Sequence, residues 1–154
     1  MKARTCVFTL ALCFVAGAIC FAKDLNLGTW KLNEAKSKLA SGMPKNSTVV
    51  YETVGDGVKV TIDGTDPDGK PTHNEWTGKY DGKDYPVTGD PNEDMRSVTQ
   101  TNPHTLQVSL KKGGKVIGSA RVVVAPDGKS RTVTVSGTDP QGKEFTSTTV
   151  YDKQ

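Results

Sequence analysis

Few residues in this chain of 154 are equipped for chemistry. No cysteine follows Cys20, and the two histidines are His73 and His104. Neither histidine stands beside a serine nucleophile or a positioned acid, so acyl transfer has no constellation to run on. His73 and Glu75 are two apart and would share one face of a strand, with His104 a conceivable third zinc ligand. His104 follows Pro103 in a turn, however, and both histidines read as surface residues. The run "DGTDPDGKPTHNE" partly imitates a calcium loop through Asp66, Asp68, Gly69 and Glu75, but Gly64 holds the first ligand position and Pro67 suits a tight hairpin better. No phosphate-cradling glycine loop precedes a helix. The expectation is a non-catalytic protein that needs no metal or cofactor.

What remains is the chemistry of binding. Arg121 is followed by Val122, Val123 and Val124. Pointing inward, its guanidinium would need an anionic partner or ligand, because an unpaired buried charge costs several kcal/mol. Pointing outward, it would lay its stem along the strand and keep its head in water. Trp76, in "HNEWTGKY", shares a strand face with Asn74 and Tyr80 and is a candidate cavity wall. Arg121 and Trp76 are therefore expected ligand-binding residues.

The elements that must position them begin after a leader. Lys2 and Arg4 precede an uncharged apolar run from Cys6 to Phe21, and small Ala22 offers a cleavage point. This is the layout of a secretory signal peptide, and the run is short for a spanning helix. Residues 1–22 are read as signal and 23–154 as one domain, exported to the periplasm or secreted. All three cysteines fall in the leader, so the domain uses no disulfide in a compartment that permits them. Removing Lys2 and Arg4 from 20 basic residues leaves 18 against 17 acidic, a net charge of +1. With both signs interspersed, that excludes the electrostatic footprint of a nucleic-acid or acidic-membrane binder. No oligomer is signalled, and a monomer is expected.

From Thr48 onward one grammar repeats: a short alternating stretch, then a turn of Gly, Asp, Pro and Lys. The turns read "VGDGV", "DPDGK", "YDGKD", "KKGGK", "APDGK" and "DPQGK". Proline presets φ in three of them and glycine supplies the positive φ that closes a hairpin. Between them, Val58, Val60 and Ile62 alternate with Lys59 and Thr61; Leu106, Val108 and Leu110 with Gln107 and Ser109; Val133 and Val135 with Thr132 and Thr134. About ten strands follow: 28–33, 48–54, 57–63, 72–79, 84–88, 94–101, 104–111, 115–124, 130–137 and 144–151. Only Asn33 to Ser47 breaks the pattern, and its spacing predicts a turn or two of helix. An open meander of this length would leave two exposed edges, and joining its ends removes both. The fold class is an all-β, single antiparallel up-and-down barrel with a short helical segment after the first strand. Short strands with Thr- and Lys-rich outer faces argue against an outer-membrane barrel.

The opening "GTWKL" (28–32) and the closing "TTVYDK" (148–153) frame this meander in a way that resembles the calycin barrels, above all the fatty-acid-binding proteins and, through Gly28-x-Trp30, the lipocalins. It also resembles small exported bacterial lipocalin-like proteins without an assigned activity. The resemblance implies that Trp30 plugs the closed end as core. It implies a carboxylate grip built from a final-strand Arg-x-Tyr and an earlier arginine, to which Tyr151 and Arg121 correspond, so that Tyr151 joins the expected ligand-binding residues, while Thr149 stands where the final-strand arginine would be. The expected function is sequestration or carriage of a small, mainly apolar or amphipathic ligand. The competing expectation is a structural or protein-interaction barrel whose interior is filled by side chains.

Overall fold

The computed structural model describes residues 24–138 and 142–154; the signal-peptide reading of 1–22 lies outside them. Among the described residues there are ten strands: β1 (Gly28–Leu32), β2 (Lys45–Val54), β3 (Gly57–Thr65), β4 (Pro71–Gly78), β5 (Asp81–Thr88), β6 (Met95–Asn102), β7 (Thr105–Lys112), β8 (Lys115–Val124), β9 (Ser130–Thr138) and β10 (Glu144–Lys153). Each pairs antiparallel with its sequence neighbours, and β1 also pairs with β10, which closes the barrel. Trp30 sits opposite Val49 on one side and Lys153 on the other, so the two termini form the seam. Closure leaves no strand edge open, as the meander required.

Period-two alternation decides what faces inward. Along β8 the buried residues are Ala120, Val122 and Val124, and along β10 they are Ser147, Thr149 and Tyr151. The core gathers Trp30, Val49, Val60, Trp76, Val87, Val98, Leu106, Val122, Val124 and Tyr151. The Pro-Asp-Gly turns work as their composition demands. The Gly69 N–H donates to the Asp66 carbonyl at 3.0 Å, with Gly69 at φ +81°. The Asp66 carboxylate accepts from the N–H groups of Asp68 and Lys70, which makes it a hairpin cap and not the start of a calcium loop.

The segment after β1 departs from expectation. In place of a turn or two of helix there is a single 3₁₀ turn, Glu34–Lys36, capped by the Asn33 side chain. Ser37 is already extended: its hydroxyl donates to Asn33 O at 2.7 Å and accepts from Val150 N–H at 2.9 Å. Lys38 then exchanges both backbone bonds with Thr148. Capture by β10 satisfies the backbone before a helix can propagate past its costly first turn, and β2 begins early, at Lys45.

One seam is thin. β4 and β5 pair at Glu75–Thr88 and Trp76–Val87. Beyond those pairs the Trp76 and Tyr85 rings meet edge-on, 6.0 Å between centres, over Gly78. A Cβ on Gly78 would lie 2.5 Å from the Trp76 ring and 2.7 Å from Tyr85, so only glycine admits this aromatic pair. Among the described residues, no helix is long and apolar enough to cross a membrane.

Candidate functional site: a cationic floor in an apolar cavity

Strand direction divides the loops between two ends. The N-terminal segment, the β4–β5 and β8–β9 turns and the C-terminus lie at one end, and this end is sealed. Trp30, fully buried, donates its indole N–H to the Asn26 carbonyl at 2.7 Å. The Lys153 ammonium lies 4.9 Å from the Trp30 ring centre and donates to the Leu25 carbonyl at 3.0 Å. The Tyr80 hydroxyl donates to Asp24 at 3.0 Å, and burial pushes that phenol far above the usual tyrosine range. The two stretches of sequence that suggested the barrel are therefore in contact at its closed end.

Above the seal is a cavity of about 350 Å³. Val49, Val60, Ile62, Val98, Leu106 and Val122 supply much of its wall, and Met43, Pro44, Asp66, Pro67 and the loop Gly89–Glu93 border the opposite end, its mouth. An apolar enclosure with a few convergent polar groups is the usual form of a small-molecule site.

The polar groups are led by Arg131, on β9 just after the closed-end turn. It is 2 % exposed, and its Nε and Nη1 atoms are buried without a hydrogen-bond partner. Among the described residues no carboxylate forms a salt bridge with it. Three rings hold it instead, with the guanidinium carbon 4.7 Å from the centre of Trp30, 4.8 Å from Tyr51 and 5.2 Å from Tyr151. Each such contact contributes about 0.5–2 kcal/mol. The rings steady the charge but do not neutralise it, and they leave two nitrogens without a hydrogen-bond partner. Asn74, also in the wall, has a buried Oδ1 without a partner.

A second arginine lines the same cavity in a different state. Arg96, on β6 just after the mouth loop, meets Glu93 in a two-pronged ion pair, Nε to Oε1 at 3.0 Å and Nη2 to Oε2 at 2.6 Å. Burial lifts the Glu93 carboxyl above its ordinary range while the Arg96 hydrogen bonds oppose that rise. The paired geometry is that of a carboxylate and a guanidinium.

Of the residues expected at a site, Trp76 and Tyr151 both line the cavity. Trp76 donates its indole N–H to the Arg96 carbonyl at 3.1 Å, and Tyr151 donates its hydroxyl to the Asn46 carbonyl at 3.1 Å. Burial raises the Tyr151 phenol. Arg121 is elsewhere: it is exposed, on the outer face of β8 between Gln107 and Thr134. The inward reading of Arg121 is corrected by the alternation itself, since Ala120 and Val122 occupy the inward phase. Thr149, opposite Val133, lines the cavity without charge. The arginine at the floor is Arg131, directly across the ladder from Tyr151. Sequence reasoning missed it although the signal was present: Arg131 precedes Val133 and Val135 by two and four residues on one face. Arg96 stands in the same relation to Val98. His73 is on the outer surface against Asp63, and His104 faces the Val124 carbonyl. Among the described residues no three His, Cys, Asp or Glu side chains converge as metal ligands.

Fold and cavity together define a closed ten-stranded antiparallel β-barrel, an architecture compatible with the calycin type. Comparison with protein-family models and with curated proteins finds no match to this chain.

Proposed function

We propose that the barrel binds a small, mainly apolar molecule bearing an anionic group, seated with that group on Arg131 and its body against the valine-lined wall. The observation that carries this reading is a buried guanidinium with two unpartnered nitrogens on the floor of an apolar cavity. Holding an unpaired charge there costs several kcal/mol, an expense a folded protein retains where function needs it. The wall contributes affinity through desolvation, about 25 cal/mol for each Å² of apolar surface removed from water. The barrel acts by enclosure and not by chemistry, as a carrier or sequestering protein, and the leader directs it out of the cytoplasm.

Native mass spectrometry of the protein recovered from the cells that make it tests this. A recurrent bound mass, released on denaturation and acidic, is the expected result. An empty barrel whose tryptophan emission is also unmoved by fatty acids would return the molecule to the competing reading, a barrel with no ligand.

A further inference from the structure

The two arginines of the cavity sit on strands that enter it from opposite ends. β6 starts at the mouth loop and β9 at the closed-end turn, so Arg96 is the outer cation and Arg131 the inner one. They differ in what holds them. Arg131 has only rings and unpartnered nitrogens. Arg96 is engaged by Glu93, a carboxylate brought 5 % exposed into the barrel by the loop between β5 and β6. Asp66 and Asp90 line the same mouth, and among the described lining residues there is no lysine or further arginine. The outer end thus presents one cation already neutralised and two further carboxylates. The inner end presents a cation alone.

We propose that Glu93 sets the charge specificity of the cavity: by occupying Arg96 it leaves Arg131 as the one free cation lining the described cavity, so the barrel accepts chains anionic at one end and rejects chains anionic at both. This rests on the binding reading above and goes further, assigning the ligand's outer end. That end is neutral or basic, because a second carboxylate at the mouth would meet Asp66 and Asp90 and could reach Arg96 only by displacing Glu93. Such an exchange trades one carboxylate for another and leaves Glu93 to be resolvated, so it returns little. Like-charge contact at the rim is how a site turns away a wrong partner. Glu93 is then a specificity-determining residue that need not touch the bound apolar chain.

Three probes that differ only at the far end test this: dodecanoate, dodecanedioate and ω-aminododecanoate, titrated into the full domain by calorimetry. The wild type is expected to bind dodecanedioate at least about tenfold more weakly than dodecanoate, and ω-aminododecanoate within roughly threefold of dodecanoate. Glu93→Gln keeps the side-chain shape and removes the charge, which makes Arg96 available. It should bring dodecanedioate to within roughly threefold of dodecanoate, and adding Arg96→Met should undo that gain. Equal wild-type binding of the mono- and dicarboxylate overturns the proposal without any variant. So does a Glu93→Gln protein in which all three affinities move together; both results leave the carrier reading standing. Failure of all three probes to bind either protein removes the carrier reading and this one with it.

Discussion

The guanidinium of Arg131 lies 4.7 Å from the Trp30 ring centre and directly across the β9–β10 ladder from Tyr151, whose ring it also meets. The plug of the barrel and the floor of its cavity are therefore one construction. Trp30 seals below with Asn26 and Lys153 and carries the charge above. A consequence for stability follows. Methionine at 131 would keep most of the volume, remove the cost of a buried unpaired cation and forfeit three cation–π contacts. Arg131→Met is expected to be as stable as wild type within about 1 kcal/mol, or more stable, by urea unfolding. A large loss of stability would mean that Arg131 is there for packing alone.

The seal depends on the chain before β1. Tyr80 donates to Asp24, and the other Asp24 carboxylate oxygen accepts from the Asn26 backbone. Tyr80→Phe keeps the ring and deletes the donor, leaving a partly buried carboxylate oxygen short of a partner. A cost of about 1–2 kcal/mol is expected, with faster amide hydrogen exchange in residues 24–27 as the specific sign.

The thin β4–β5 seam makes a sharper steric prediction. At Gly78 an added Cβ would collide with Trp76 and Tyr85 at once. Gly78→Ala should destabilise by about 1–3 kcal/mol and should change the near-ultraviolet dichroism of Trp76. A silent substitution would show that the aromatic pair is not packed as described.

On the outer face, His73 Nδ1 lies 2.7 Å from Asp63, and its Nε2 faces Glu75, which also holds Lys59. The Asp63 hydrogen bond raises the His73 pKa, with both acids adding to the effect. A folded pKa above the unfolded value of about 6.5 means the contribution is fully present below that value and is lost as pH rises through the folded pKa. Stability should decline over that interval. Asp63→Asn should flatten the decline and lower the His73 midpoint read by NMR titration.

Much of this fold could be read from composition and spacing because its signals are local. Each turn carries its own glycine, and each strand shows its buried face by alternation. Closure followed from the cost of open edges, and Trp30 from the motif that opens the domain. Arg131 is hidden because the first apolar residue of β9 is Val133, two positions on, and a charged residue in the inward phase carries no apolar signal of its own. Arg121 misleads because valines follow it in both phases, which hides that its own phase is the outward one. Glu93 carries no pattern at all: it lies in a loop, and only the three-dimensional path of that loop brings it to Arg96. The missing helix had a similar cause, since the Asn33 cap is real but β10 captures the chain at Ser37 and Lys38.

The central claim is that Arg131 receives the anionic group of a bound apolar molecule, and the most direct measurement compares dodecanoate with dodecanol. Both would be titrated against tryptophan emission in wild type, Arg131→Met and the outer-face control Arg121→Ala. Dodecanoate should bind the wild type and Arg121→Ala alike and lose at least about tenfold with Arg131→Met, while dodecanol is affected less than about twofold by any change. Equal loss of both ligands, or dodecanoate binding that ignores Arg131, would contradict the account.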